Sequence, residues 1–168
     1  MEIKLKNCNI FSMSIAGDGP QAYAVIQGGD AYPNILGTAN FYRTKWNAGV
    51  MVEVELDNLP NSVSYAPRFL GMHIHENGDC GNHFASTGMH YNPTGAVHPY
   101  HLGDLPPLLN SSGYAYMVFY DGYLELEDII GCSIILHGKR DDFTTQPSGD
   151  SGDKIACGVI RNYYSQSM

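Results

Sequence analysis

An all-β domain is what this sequence predicts, and three observations predict it. Gly 19, Pro 9 and Tyr 12 stand against only 15% charged residues, a balance that favours many short turns over exposed helices. Short apolar or alternating runs recur along the chain, each ending in Gly, Pro, Asn, Asp or Ser. No stretch sustains a helical apolar period, and no internal repeat or low-complexity segment intervenes.

The runs, in chain order, are AYAVIQG (22–28), GTANFYRT (37–44), VMVEVEL (50–56), GYAYMVFYDG (113–122), IIGCSIILH (129–137) and KIACGVI (154–160). In VMVEVEL, Val52, Val54 and Leu56 face one way and Met51, Glu53 and Glu55 the other, the mark of a half-buried strand. In the fifth run Cys132, Ile134 and Leu136 point to the core, with Ser133, Ile135 and His137 on the opposite side. GMHIHENGDC puts His73 and His75 on one face of a strand and Met72 and Ile74 on the other. YLELEDII (123–130) allows a single short helical turn. Strands in this number, separated by turn signals, describe a sandwich or barrel.

At 168 residues the chain fits one domain spanning 1–168, with its core over about 22–160 and stretches of unassigned role at 1–17 and 161–168. A formal charge of -8 and the lack of any basic run argue against nucleic acid as a partner. No apolar run is long enough to span a bilayer, so no membrane partner is expected either. The opening MEIKLKNCNIFSMSIAG lacks the apolar region of a secretory signal. The compartment stays open: cytoplasmic as the sequence stands, periplasmic or extracellular if a leader has been removed. The four cysteines, Cys8, Cys80, Cys132 and Cys157, form no CxxC pair and leave room for one disulfide.

Two segments, about Glu76–Pro107 and Gly138–Asp153, are too long and irregular for hairpin loops and need an internal cross-link. The first contains MHYNPTGAVHPYHLGD, which concentrates His90, His98, His101 and Asp104 in sixteen residues of a chain with seven histidines. Three imidazoles and a carboxylate complete a tetrahedral shell for Zn2+, and such an ion would anchor the loop. His73, His75 and His137 offer a second, all-imidazole site on the outer face of the barrel, suited to a redox-active copper and open to a small molecule.

With GMHIHENGDC, STGMHYNP, HLGDLP, SIILHGKRDD and KIACGVI in this order, the chain resembles the copper/zinc superoxide dismutases, and the bacterial branch more than the eukaryotic one. The likeness covers roughly 22–160. It implies a Greek-key β-barrel or sandwich of about eight antiparallel strands, carrying a long metal-binding loop and a second active-site loop. It also implies an oxidoreductase that disproportionates superoxide to O2 and H2O2 by Cu2+/Cu+ cycling beside a structural Zn2+. A copper- and zinc-binding module of the same fold without turnover is the alternative. By resemblance, copper is held by His73, His75, His90 and His137, and zinc by His90, His98, His101 and Asp104, with His90 shared as a bridge and catalytic acid. Asp141 would link a copper histidine to a zinc histidine, and Cys80 and Cys157 would form the intrasubunit disulfide. Superoxide is the implied substrate, and a homodimer is left open.

Lys154 stands where the family usually has an arginine three residues before the second disulfide cysteine. The resemblance casts it as the catalytic anion guide, weakened because an ammonium is a flexible point charge where a guanidinium is a planar fork. Lys139 is a second contributor to a local positive patch that would draw the anion despite the net charge. Cys132 reads as a free core thiol and His83 as a solvated loop residue without a family counterpart.

Overall fold

The computed structural model describes residues 14–61 and 68–163, so Cys8 and most of the N-terminal stretch lie outside the described residues. The three strands β1 (Ala22–Gly28), β2 (Leu36–Arg43) and β3 (Val50–Asp57) form a continuous antiparallel meander, pairing Ala24 with Ala39 and Ala39 with Val54. The chain then leaves this meander for β4 (Phe69–Leu70) and β5 (Met72–His75). It returns through β6 (Leu108–Leu109) to β7 (Ala115–Asp121), which pairs with β3. A single helical turn, α1 (Leu126–Ile129), leads into β8 (Ser133–His137), β9 (Lys154–Val159) and β10 (Arg161–Asn162).

The resulting eight-stranded antiparallel sheet runs β5-β8-β9-β1-β2-β3-β7, with β10 added beside β1 and a separate β4–β6 ribbon. Within this sheet β5 is the next strand after β3 in the chain and β8 the next after β7, yet four strands separate each pair in the order, which is the crossing of a Greek key. The expected all-β Greek-key architecture, the two long loops and the helical turn are therefore all present. The two-residue strands β4, β6 and β10 fall below the length at which alternation can be read.

The inner face buries one core from both halves of the sheet, including Phe41, Val52, Val54, Leu56, Met72, Ile74, Ile134 and Leu136. Cys132 belongs to it as a free thiol. Met51 departs from the expected polar face of β3: it is buried on the outer surface against Ile15 and Tyr42, beside Val118. Ile15 also bridges to Thr44, so packing extends past the expected core into the N-terminal stretch. On the other side of the molecule β8 is buried on both faces, with Ser133 and Ile135 at 0% exposure, because the two long loops cover it.

Candidate metal centre

The edge strand β5 carries His73 and His75, and its free edge is closed by the long loop. Residue 74 exchanges backbone hydrogen bonds with Tyr91 and Gly103: Ile74 N–H donates to the Gly103 carbonyl at 2.8 Å, and Tyr91 N–H to the Ile74 carbonyl at 2.8 Å. Leu105 N–H donates to the Met72 carbonyl at 3.3 Å. These contacts set His75 opposite His90 and His73 opposite Asp104 as isolated antiparallel bridges. Side chains of paired residues share a face. On the other side of β5, His73 pairs with Ile135, and His137 at the end of β8 lies opposite Lys154. A chain that pairs in this register has brought residues from two strands and one loop to a single point.

All seven candidate ligands converge in two groups, and His90 belongs to both. His73, His75, His90 and His137 offer one donor atom each within 4.8 Å of one another, and so do His90, His98, His101 and Asp104. The first group is the more telling. His73 Nδ1, His75 Nε2, His90 Nε2 and His137 Nε2 are buried and have no hydrogen-bond partner. Four unpaired buried nitrogens in one place would be costly unless something else satisfied them. Each ring is oriented through its other nitrogen: His73 Nε2 lies 2.8 Å from Asp141 Oδ2, His75 Nδ1 2.9 Å from the Gly88 carbonyl, and His137 Nδ1 3.1 Å from the Gly152 carbonyl. Protons on those outer nitrogens leave lone pairs facing inward, the arrangement a metal requires.

The second group is organised around Asp104. Its Oδ1 lies 2.7 Å from His90 Nδ1, and its Oδ2 lies 3.1 Å from His98 Nδ1 and 3.3 Å from His101 Nδ1. Three imidazoles around a carboxylate are the donor set of a tetrahedral zinc site. Asp141 joins the groups, because its Oδ1 lies 3.0 Å from His98 Nε2 while Oδ2 holds His73. The close approach depends on Gly149, which has φ +68 and whose missing Cβ would sit 1.9 Å from Asp141 Oδ1.

Burial governs the electrostatics. It pushes His75 down to about 2 and His137 down to about 3, with the positive charge of Lys154 acting in the same direction on both. Burial also lowers His73, partly opposed by its bond to Asp141. Burial would raise Asp104, but the His90 hydrogen bond and the charges of His90 and His98 outweigh it and hold the carboxylate below its usual range. Asp141 follows the same balance and is held at about 2. His73, His75 and His137 therefore present neutral rings and Asp104 an ionised carboxylate, the protonation states in which these side chains bind metals.

The structure adds detail to three expectations. The outer-face site is not open: His73, His75, His90 and His137 are all 4% exposed or less, because both long loops close over β5 and β8. Lys154 is partly buried, with its ammonium hydrogen-bonded to the loop. Nζ donates to the Thr87 hydroxyl at 2.7 Å, the Gly88 carbonyl at 2.9 Å and the Phe84 carbonyl at 3.3 Å, and burial lowers its pKa. Lys139 faces Asp150 at 3.5 Å on the surface, which offsets its charge. Elsewhere the placement is as the sequence suggests. A disulfide joins Cys80 to Cys157 with Cα atoms 5.9 Å apart, and His83 is exposed beside Asp30. Sequence reasoning missed the carbonyls of Gly88 and Gly152 and the role of Gly149, of which only the glycines themselves were a signal.

Residues 35–160 match the family model described as copper/zinc superoxide dismutase. The chain belongs to the copper/zinc superoxide dismutase family. A superoxide dismutase [Cu-Zn] of Legionella pneumophila is 35% identical over 158 residues, covering 89% of this chain and 91% of that protein. Superoxide dismutase [Cu-Zn] 1 of Aquifex aeolicus is 31% identical over 169 residues, covering 90% and 94%. Bacterial relatives are thus among the matches, as the sequence motifs suggest. The human copper chaperone for superoxide dismutase is 35% identical over 107 residues, covering 56% of this chain and 39% of that protein. The two histidine groups fit the copper and zinc of the family.

Proposed function

We propose that this chain is a superoxide dismutase in which His73, His75, His90 and His137 hold copper, and His90, His98, His101 and Asp104 hold zinc. The observation that carries the reading is the convergence of four unpartnered, buried imidazole nitrogens beside a separate three-histidine, one-carboxylate cluster. Bound copper supplies one-electron chemistry between Cu2+ and Cu+, so that two superoxide ions and two protons give O2 and H2O2, while zinc supplies a fixed charge.

The protein's own residues orient and deliver. Asp141 fixes the rings of His73 and His98, and through them the spacing of the two groups. His90 is the shared residue: its Nδ1 is held by Asp104, which leaves Nε2 as the atom that can hold and release a proton. Lys154 adds a positive charge near His75 and His137. The Cys80–Cys157 disulfide fastens the long loop, and with it His90, to β9.

A second reading, a copper- and zinc-binding module without turnover, is favoured by the match to a copper chaperone. Metal content per chain, measured together with superoxide consumption before and after copper loading, separates the two. The dismutase reading predicts one copper and one zinc per chain and consumption that appears with copper. A fully metallated protein that consumes no superoxide would establish the second reading.

A further inference from the structure

We infer that His83 and Met89 form a surface site for copper(I), from which the ion passes to the buried imidazoles of His75 and His90. The inference rests on the copper-binding reading of that buried group. Both side chains line one open cleft of about 710 Å³, together with Gly88, Asp153 and Lys154. The backbone between them brings them to the same place. The carbonyls of Phe84 and Gly88 accept from one ammonium, Lys154 Nζ, at 3.3 and 2.9 Å, so the two ends of the 84–88 turn meet. His83 and Met89 flank those ends.

The donors suit a soft monovalent ion. A thioether selects copper(I), and an imidazole also suits copper. Met89 is 54% exposed and is the one exposed methionine among the described residues, where Met51 and Met72 are buried and Met117 half-buried. His83 is exposed too, and its Nδ1 lies 3.0 Å from Asp30 Oδ2. A proton on Nδ1 facing that carboxylate leaves the lone pair on Nε2. Asp153 in the cleft and Asp30 beside it set two carboxylates against the positive charge of Lys154, which favours an incoming cation.

The wall of this cleft is also the wall of the buried group. Met89 is fixed by two backbone hydrogen bonds to Glu76: its N–H donates to Oε1 at 3.2 Å, and its carbonyl accepts from the Glu76 N–H at 3.0 Å. Its side chain stays outside while that of the next residue, His90, is buried. On the other side of Met89, the Gly88 carbonyl lies 2.9 Å from His75 Nδ1. The surface pair therefore borders two of the four unpartnered nitrogens, His75 Nε2 and His90 Nε2. Transfer is ligand exchange: the bonds from copper to the thioether and to the His83 ring break as bonds to the two buried nitrogens form. Copper(I) keeps its oxidation state throughout.

The test uses His83→Asn, whose side chain tolerates the left-handed φ of 51, Met89→Leu, and the double variant. All carry Cys8→Ser, so that this thiol does not take the probe. In protein loaded with zinc and copper(I), silver(I) serves as a redox-inert substitute for copper(I), and the Met89 methyl and His83 ring signals are followed by NMR during its titration. Both signals should move together, and each single variant should need about tenfold more silver for the signal that remains. In metal-free protein, copper(I) bicinchoninate is added anaerobically, and the loss of its colour gives the rate and extent of uptake. The double variant should take up copper about tenfold more slowly than the parent and to the same extent. The inference is overturned if the two signals move independently, or if the double variant fills at the parent rate. Absent uptake in parent and variants alike would instead end the copper-binding reading beneath it, a result distinct from the other two.

Discussion

Replacing Asp141 by Asn should weaken copper binding more than zinc binding, and the structure says why. The carboxylate accepts at Oδ1 from His98 Nε2 (3.0 Å) and from Phe143 N–H (2.7 Å), and at Oδ2 from His73 Nε2 (2.8 Å). An amide has one acceptor oxygen. Its lower-energy orientation puts that oxygen at the Oδ1 position, where two donors are kept, and turns the NH2 toward His73. Donor then faces donor, and His73 relieves the conflict by moving its proton from Nε2 to Nδ1, the nitrogen that faces the other three rings. Loss of a hydrogen bond to a charged group is worth about 1.5–3 kcal/mol, or about 10- to 150-fold in affinity. Competition titrations of copper and zinc against chelators of known affinity, on Asp141→Asn and on the exposed control Asp150→Asn, measure the effect. Copper affinity should fall by that factor in Asp141→Asn, zinc affinity by less, and neither in the control. Equal losses of both metals would refute the argument from amide orientation, and parent-like affinity for both would refute the positioning role altogether.

Other substitutions probe neighbouring links. Gly149→Ala places a methyl 1.9 Å from Asp141 Oδ1 and 2.8 Å from His98 Nε2, so zinc affinity should drop more than copper affinity, the reverse of Asp141→Asn. The left-handed φ adds a stability loss of about 1–2 kcal/mol, and a variant with parent-like thermal unfolding and zinc content would contradict both parts. Cys80→Ser opens a bridge of sequence separation 77 and should cost about 2–4 kcal/mol in denaturant unfolding; a loss under about 1 kcal/mol would show that the loop is held by other means. The thiol of Cys132 is buried and its pKa raised chiefly by that burial, so peptide mapping after native alkylation should find it unlabelled. Rapid labelling of Cys132 at neutral pH would place it outside the core.

Much of this architecture was legible because period-two patterning survives wherever a strand keeps one wet face. Val52, Val54 and Leu56 declare β3 in this way, and the extents of both long loops follow from the strands that bound them. Met51 was misread because alternation assigns a side chain to a face without saying what else covers that face, here Ile15 and Tyr42. The ligand residues were legible as imidazoles and carboxylates at suggestive spacing. Their convergence followed from the family resemblance and not from local patterning, since the bridges of His75 to His90 and His73 to Asp104 are made by irregular loop backbone whose pairing leaves no side-chain pattern. The same holds for the acceptors that orient the rings: the carbonyls of Gly88 and Gly152 belong to every residue type alike. Lys154 illustrates the limit best. Its acceptors lie at Phe84, Thr87 and Gly88, at and after a left-handed turn over Asn82, His83 and Phe84 where no glycine announces a positive φ.

The most direct measurement is anomalous diffraction at the copper and zinc absorption edges from crystals of the metal-loaded protein. Two ions should appear on either side of the His90 ring, copper within bonding distance of His73, His75 and His137, and zinc within bonding distance of His98, His101 and Asp104. A copper peak remote from His73, or two peaks that do not share His90, would contradict the two-metal centre.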